Sequence, residues 1–547
     1  MKTKIMSFAS AFALGLTASV SAFNVSAEDS LAPEKEYIQA HLNFLASDLL
    51  EGRDAGSMGH EIAAEYIATE FKKYGLTPAG TDGFMQRVPF RRAVLKQESP
   101  ALTLKTPDGD INLSYPKDFL TSADTVREQT KMSGELVFVG YGIIADEYGH
   151  NDYADIDVSG KIVVMLSGKP ASFPSEEGAH LGSGRQKAAY AADNGAIGLI
   201  TISTPTSEKV RPYQRSLSYI HTPALRWLNK EGKPAGTHEQ LQGAAHFGRP
   251  SAEKLFAHAP VSLESIYAQL EKDEAPKGFA LPVSVALTKE STHETISSPN
   301  VVGFVEGSDP KLKNEYVVFS AHSDHIGIAK SVKKDKINNG AMDNASGTSI
   351  MLETARLFGQ METKPKRSIL FVSVTAEEKG LLGSDYYANN PTVPVESIVT
   401  NVNLDMPILT YNFADVIAFG ANHSDMKVSV EQATGNIGIK LSPDPWPEQA
   451  LFTRSDHYSF VKQGIPSIFL VTGLESADPE IDGSKVFGNF LATHYHKPTD
   501  DLNLPFKWNA AVKFASVNAQ IGNTLANQEE RPKWNDDSFF KATFAKE

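Results

Sequence analysis

The sequence predicts an α/β fold in which a mixed, mostly parallel sheet carries helices on both faces and a β-rich domain is inserted. Short apolar runs, typical of strands covered on both faces, alternate with helical patterns in the second half of the chain. Residues 116–260 differ from this pattern, because their strands end in glycines and turn-like polar sequence. At 547 residues the chain is too long for one ordinary core, so we expect two or more domains.

The first 27 residues have the pattern of a signal peptide. Lys2 and Lys4 form a charged start, residues 5–16 are apolar, and small residues end the segment at Ala22 or Ala27. The apolar run is short for a bilayer span of about 20 residues. The sequence therefore predicts export to the periplasm or the medium without a stable membrane span.

The remaining elements follow in order along the chain. Helical patterns over residues 36–50 and 60–74 open the main domain, whose first part is expected at 28–115. The inserted domain is expected at 116–265, the second part of the main domain at 266–527, and a polar, loosely held tail at 528–547. Four apolar runs of the second part predict strands: 316–320, 368–374, 398–404 and 467–471. Helices are expected between them at 349–358 and 380–388.

Composition excludes several classes of function. Hydrophobic residues make up 41% and charged residues 22%, as in globular proteins. The net charge of −14 argues against binding to nucleic acid or to an anionic membrane, and nothing indicates an oligomeric state. The absence of cysteine excludes disulfides, a thiol nucleophile and Cys-ligated metal sites.

Five short patches supply side chains of the kind that bind metal ions. Together they offer two imidazoles and three carboxylates for metal, with one carboxylate to spare. This inventory suits two divalent ions that share a bridging aspartate, with a free glutamate as base for the water between them. The patches contain His322, Asp343, the pair Glu377 and Glu378, Asp405, and His496.

The placement of these side chains favours convergence. His322, the Glu377–Glu378 pair and Asp405 each come just after a predicted strand, and open α/β sheets bind ligands at the carboxyl ends of strands. Asp324 follows His322 by two residues, on the same side of an extended chain. We therefore expect the Asp324 carboxylate to accept a hydrogen bond from the ring nitrogen of His322 that is not on metal.

In their order along the chain, these motifs resemble those of the secreted di-zinc aminopeptidases and their relatives, the glutamate carboxypeptidases. The residues before 116 and the stretch from about 299 to 527 carry this resemblance, and the block 116–260 resembles the protease-associated domain of many members. The matching motifs are Ala321-His-Ser-Asp-His325, Gly340-Ala-Met-Asp-Asn-Ala-Ser-Gly347, Ala376-Glu-Glu378, Asn403-Leu-Asp-Met406 and Tyr495-His-Lys-Pro-Thr-Asp500.

The resemblance implies a zinc-exopeptidase-like fold and a role for each side chain. His322 and Asp405 would hold one zinc, Glu378 and His496 the other, and Asp343 would bridge them. Glu377 would be the general base, and Tyr495 would hydrogen-bond the substrate carbonyl oxygen. Manganese or cobalt would suit the same ligands.

The resemblance implies that peptides are the substrates, and four activities remain open. An aminopeptidase is the first hypothesis. A carboxypeptidase would need fixed cations for a C-terminal carboxylate, for which Arg454 is a candidate. The other two are a single-zinc cyclising acyltransferase and a non-catalytic binding protein. The full set of metal ligands argues against both, because no ligand is missing from this sequence. Asp456 and His457, next to Arg454, are expected near the substrate pocket.

Overall fold

The computed structural model describes residues 31–330 and 332–545, so the predicted signal peptide at 1–27 lies outside the described residues. The strands are β1 (Thr77–Pro78), β2 (Met85–Leu95), β3 (Ala101–Thr106), β4 (Gly109–Leu113), β5 (Gln129–Phe138), β6 (Ile144–Ala145), β7 (His150–Asn151), β8 (Ile162–Leu166), β9 (Gly198–Ile202), β10 (Ala224–Trp227), β11 (Ala244–Phe247), β12 (Phe279–Val305), β13 (Tyr316–His322), β14 (Ser368–Val374), β15 (Ile398–Leu404), β16 (Asp415–Phe419), β17 (Lys440–Ser442) and β18 (Ser467–Thr472). The helices are α1 (Lys35–Leu45), α2 (Met58–Lys73), α3 (Ser175–Leu181), α4 (Gly184–Asp193), α5 (Pro205–Val210), α6 (Tyr213–Ser216), α7 (Arg249–Phe256), α8 (Leu263–Leu270), α9 (Gly347–Gln360), α10 (Leu382–Asn389), α11 (Met426–Ile437), α12 (His457–Val461), α13 (Gly483–Thr493), α14 (Trp508–Asn527) and α15 (Phe539–Phe544).

The main domain is a mixed sheet with a parallel centre, which confirms the predicted fold class. Strands β14, β13, β15 and β18 lie side by side and are parallel, while β12 and β16 flank them in antiparallel orientation. Every residue of β14 and β15 is buried, as expected for strands that are covered on both faces.

Side chains on the central strands alternate between two cores. Val317 and Phe319 of β13 face a large core that α1, α2, α9, α11 and α14 cover. Val318 faces the opposite side and packs in a second cluster with Tyr387 of α10 and Phe460 of α12. This alternation follows from the two-residue period of a strand, and it places helices on both faces of the sheet.

The first predicted helix, 36–50, is wrong at its C-terminal end. Helix α1 ends at Leu45, and a separate 3₁₀ turn covers Asp48–Leu50. The hydroxyl of Ser47 accepts a hydrogen bond from the backbone N–H of Leu49, so this serine caps a new turn and does not continue the helix.

A second core belongs to the inserted region and reaches further than the predicted limits 116–265. Its members run from Leu102 to Leu287. The reason is strand pairing: the hairpin β3–β4 joins the sheet through the first half of β12, which also pairs with β5. The second half of β12 pairs with β2 and β14, so one strand of 27 residues runs through both sheets.

The C-terminal segment is packed against the main domain, and the expectation of a loosely held tail is wrong. Phe540 is fully buried, and its ring stacks on Phe452 with 4.8 Å between centroids. The Trp534 indole N–H donates to the backbone oxygen of Gly464 at 2.8 Å. The scattered aromatics of the tail therefore anchor it. Among the described residues, no helix combines the length and apolar character needed to cross a membrane.

We predict that Phe540→Ala lowers the free energy of unfolding by about 3–5 kcal/mol, because it removes a fully buried aromatic side chain and leaves a cavity. Urea unfolding followed by fluorescence measures the change. Thr543→Ala, on the exposed side of the same helix, is the matched control and should change stability by less than about 0.5 kcal/mol. Equal stabilities of the two variants would show that the segment is not anchored by Phe540.

Candidate metal centre

Three neighbouring strands bring most of the predicted metal ligands to one edge of the sheet. His322 is the last residue of β13, and Asp405 directly follows β15. Glu377 and Glu378 follow the end of β14 after two residues. Because β14, β13 and β15 are parallel neighbours, their carboxyl ends lie at the same edge.

The other two candidate ligands come from loops. Asp343 lies in the tight turn Ala341–Ser346 that precedes α9, and His496 follows α13 with a left-handed φ of 59°. Gly340, which opens the turn, has a φ of 58°. An added Cβ there would lie 2.2 Å from the backbone oxygen of Asp343 and 2.6 Å from the His325 ring, so the turn requires glycine.

Asp343 lies between two imidazoles, and each of its oxygens faces a different one. The Nε2 atom of His322 is 3.4 Å from Oδ1 of Asp343 and 3.2 Å from Oδ1 of Asp405. On the other side, Nε2 of His496 is 3.3 Å from Oδ2 of Asp343 and 2.9 Å from Oε2 of Glu378. The donors thus form two groups that share one carboxylate.

These donor groups fit divalent metal ions. Nitrogen and oxygen ligands at about 2.0–2.1 Å from a tetrahedral zinc lie about 3.4 Å from each other, which is close to the separations between the donor atoms here. The donor side chains are largely inaccessible to solvent, with His496 the most exposed at 16%, and carboxylates buried together need positive charge nearby.

A third imidazole also lies at the second group. Nδ1 of His325 is 2.6 Å from Oε1 of Glu378, and His325, Asp343 and Glu378 form a compact set of possible ligands. His496 contacts Asp343 and Glu378 through the same nitrogen, whereas His325 faces the other oxygen of Glu378. This geometry favours His496 as ligand and His325 as the residue that orients Glu378.

The shifted pKa values of the site residues show that the buried carboxylates favour positive charge nearby. Burial alone would lower the pKa of His322, but the negative charges of Glu377 and Asp405 outweigh it and raise the pKa well above its usual value. The carboxylate of Glu378 raises the pKa of His496 in the same way against the effect of burial. Asp343 keeps a pKa of about 2 despite its burial, because both imidazoles hydrogen-bond its carboxylate.

Glu377 lies beside the two donor groups without belonging to either. Its Oε2 atom is 3.9 Å from Nε2 of His322, beyond hydrogen-bond distance. Burial raises the pKa of Glu377 well above its usual value, and the charges of Glu378 and Asp405 add to the rise, against the opposing effect of His322. A carboxylate in such surroundings accepts a proton more readily than a solvated one.

Asp324 has a different role from the predicted one. Its carboxylate is 3.8 Å from Nδ1 of His322, and the backbone oxygen of Asp324 is the partner of that nitrogen at 3.1 Å. The carboxylate accepts hydrogen bonds from the backbone N–H groups of Glu377 at 3.0 Å and Glu378 at 3.3 Å. The predicted contact is wrong because these two N–H groups engage the Asp324 carboxylate, and through them Asp324 positions both glutamates.

Arg454 lies at the site, whereas Asp456 and His457 lie behind it. Arg454 donates through Nη2 to the hydroxyl oxygen of Tyr495 at 3.1 Å, and the Tyr495 ring stacks on His496 at 3.9 Å between centroids. Asp456 and His457 are both 0% exposed, and the His457 ring packs against Phe452 with a pKa lowered to about 3 by burial. Full burial leaves neither side chain exposed to a substrate pocket, although the charge of Asp456 still contributes to the raised pKa of Glu377.

Two further residues support the centre, and neither received a role from the sequence. The carboxylate of Asp500 accepts hydrogen bonds from the backbone N–H groups of Met342 at 2.8 Å and Asp343 at 3.1 Å, so it fixes the turn that carries Asp343. The guanidinium of Arg53 is fully buried and donates to the backbone oxygens of Ser323 and Gly340. Asp500 could have been suspected from the sequence, because it lies four residues after His496. Nothing in the sequence pointed to Arg53.

Comparison with known proteins gives two family matches. Residues 300–522 match the model of peptidase family M28, and residues 132–234 match the PA domain. The second match falls within the region of the second core.

The chain is also similar to individual proteins, at low sequence identity. A probable leucine aminopeptidase 2 of Aspergillus fumigatus is 28% identical over 293 residues, which are 51% of this chain and 52% of that protein. Aminopeptidase Y of Saccharomyces cerevisiae is 24% identical over 413 residues, 70% of this chain and 72% of the relative. The chain spans about half the length of the first of these relatives.

A solved structure shows the same fold. The aminopeptidase from Aneurinibacillus sp. strain AM-1 superposes with a TM-score of 0.53 at 19% identity, and the alignment covers 92% of this chain and 97% of that one. At this identity the likeness describes the arrangement of the elements, including the inserted domain.

We predict that Asp500→Asn weakens metal binding by about 10–100-fold. An amide offers one acceptor oxygen in place of two, so the backbone N–H of Met342 or of Asp343 loses its partner and the turn loosens. Competition with a chromogenic chelator measures the dissociation constant for zinc. Asp501→Asn, which alters the neighbouring carboxylate, is the control and should bind zinc as the wild type does. A twofold change or less in the Asp500 variant would contradict the positioning role.

Proposed function

We propose that the chain is a co-catalytic di-zinc aminopeptidase, because residues 300–522 match the model of peptidase family M28 and residues 132–234 match the PA domain. The observation that carries the proposal is the position of Asp343, whose two oxygens face two different imidazole–carboxylate pairs. One carboxylate shared between two groups is the arrangement that a pair of metal ions requires.

The proposed ligands divide between the two ions along these contacts. His322 and Asp405 would hold one zinc, His496 and Glu378 the other, and Asp343 would bridge them. The mixture of imidazole and carboxylate donors favours zinc, and manganese or cobalt would suit the same set. When bound, such a pair of ions lowers the pKa of a shared water and polarises the carbonyl of the substrate.

Glu377 is the proposed general base. It lies beside the donor groups, and its backbone N–H is fixed by the Asp324 carboxylate. From this position it would take a proton from the attacking water and transfer it to the leaving amine. Its buried surroundings raise its affinity for that proton.

Tyr495 is the proposed donor to the oxyanion. Because Arg454 donates to the oxygen of the Tyr495 hydroxyl, the hydroxyl proton is free to point at the carbonyl oxygen of the substrate. A fixed donor of this kind stabilises the charge that develops in the tetrahedral intermediate.

The aminopeptidase is favoured among the activities that the sequence left open. The relatives named above are aminopeptidases. The carboxypeptidase alternative, in which Arg454 would bind a C-terminal carboxylate, predicts cleavage of peptides whose N-terminus is blocked and is tested below. A single-zinc cyclising acyltransferase would not need the second donor group, and a non-catalytic binding protein would not need Glu377. Export from the cytoplasm remains part of the proposal and rests on the sequence of residues 1–27.

We predict that Glu377→Gln lowers kcat by about 10²–10⁴-fold and leaves the bound metal unchanged, because this side chain moves a proton but is not a ligand. The neighbouring variant Glu378→Gln is the matched comparison, since it should lose bound metal as well as activity. Elemental analysis and hydrolysis of leucyl amides measure the two properties. Near-normal turnover of the Glu377 variant would refute its role as base.

We also predict that the enzyme requires a free N-terminus on its substrate. Leu-Ala amide should be hydrolysed, whereas N-acetyl-Leu-Ala should not, because blocking the amine removes the group by which an aminopeptidase places its substrate. Product analysis by mass spectrometry measures both reactions. The opposite pattern, cleavage of the acetylated peptide and resistance of the amide, would identify a carboxypeptidase.

A further inference from the structure

A segment of the inserted region, residues 211–219, reaches the candidate metal centre. The hydroxyl of Tyr219 is 3.4 Å from Nδ1 of His496, the ring nitrogen that faces away from Asp343 and Glu378. Earlier in the segment, the guanidinium of Arg215 lies over the ring of Tyr495, 5.7 Å from its centroid. The inserted region therefore contacts both the proposed ligand and the proposed oxyanion donor.

Three arginines meet at this contact, two from the inserted region and one from the main domain. Arg215 lies over the Tyr495 ring, Arg454 donates to the Tyr495 hydroxyl, and Arg211 is close enough to Arg454, Tyr495 and Arg215 for their charges to shift its pKa. The charge of Arg454 is the main cause that lowers the pKa of Arg211 to about 10, followed by burial of the group. Arg211 keeps much of its surface exposed, so the like charges account for the effect better than burial does.

These guanidiniums lack the partners that arginines at domain contacts usually have. Within residues 31–330 and 332–545, the side chains of Arg211 and Arg215 make neither a hydrogen bond nor an ion pair with a carboxylate. Like charges brought together without an anion repel each other. The grouping is a local excess of positive charge in a chain whose net charge is −14.

We propose that Arg211 and Arg215, together with Arg454, form a subsite that binds a carboxylate of the peptide substrate. A guanidinium presents paired N–H donors that match the two oxygens of a carboxylate, and an anion here would relieve the repulsion among the three cations. Arg215 and Arg454 contact Tyr495, which stacks on His496, so a bound carboxylate would belong to a residue close to the scissile bond. This inference rests on the proposed peptidase function.

Two parts of a peptide could supply the carboxylate. One is the free C-terminus of a dipeptide, and the other is the side chain of Asp or Glu as the first or second residue. The chemistry at the cluster is the same in each case. Three pairs of substrates separate these sources: Leu-Ala with Leu-Ala amide, Leu-Glu amide with Leu-Gln amide, and Glu-Ala amide with Gln-Ala amide.

The test compares kcat/KM within each pair for the metal-loaded wild type, for Arg211→Gln/Arg215→Gln and for the control Lys209→Gln. Lys209 is an exposed cation in the same region and lies outside the cluster. In the wild type, we expect the carboxylate member of at least one pair to be preferred by about 10-fold or more. The double variant should reduce that ratio to near one, because it lowers kcat/KM for the carboxylate member much more than for the neutral member. Lys209→Gln should keep the wild-type ratio.

A purely structural role of the arginines would lower kcat/KM for both members of a pair alike, and an unchanged ratio in the double variant overturns the proposal. So does a wild type that shows no preference in any pair. If no peptide is cleaved, the proposed function fails instead, and calorimetric binding of the same pairs to the metal-loaded protein decides the subsite. Preferential binding of a carboxylate member that the double variant loses supports it, and equal binding of both members refutes it.

Discussion

The position of Asp343, shared between two imidazoles, is the constraint on which the rest of the centre depends. Its carboxylate is buried among other carboxylates, so it must be held rigidly and supplied with positive charge. The glycine at position 340 allows the turn, and Asp500 binds the backbone on both sides of Met342. The parallel strands then bring His322, Glu378 and Asp405 to the site, and the loop after α13 brings His496 to the second oxygen of Asp343. A displacement of this turn would separate both donor groups at once.

The long strand β12 connects this centre with the inserted region. Its first half pairs within the second core and its second half within the main sheet, so the two parts of the molecule share a continuous hydrogen-bonded strand. Strand β10, which follows the segment 211–219, pairs with β2, and the segment itself contacts Tyr495 and His496. The inserted region therefore forms one wall of the site, which gives a physical basis for a contribution to substrate choice.

Much of this arrangement follows from the sequence, and the exceptions have a common cause. Strands such as 368–374 and 398–404 are predictable because apolar residues make up most of each short run and both faces are covered. His322 and Asp405 come at the ends of predicted strands. Because parallel strands end at the same edge of a sheet, the sequence predicts that both side chains reach that edge. The contact of Asp324, the burial of His457 and the anchoring of Phe540 depend on how distant segments pack. The same holds for Arg211 and Arg215, which are 284 and 280 residues away from Tyr495 along the chain.

The central claim is that two metal ions share the carboxylate of Asp343. The measurement that tests it most directly is anomalous diffraction at the zinc absorption edge from crystals of the zinc-loaded protein. Two peaks are predicted, one between His322 and Asp405 and one between Glu378 and His496, both within bonding distance of Asp343. A single peak, or a second peak away from Asp343, would contradict the account.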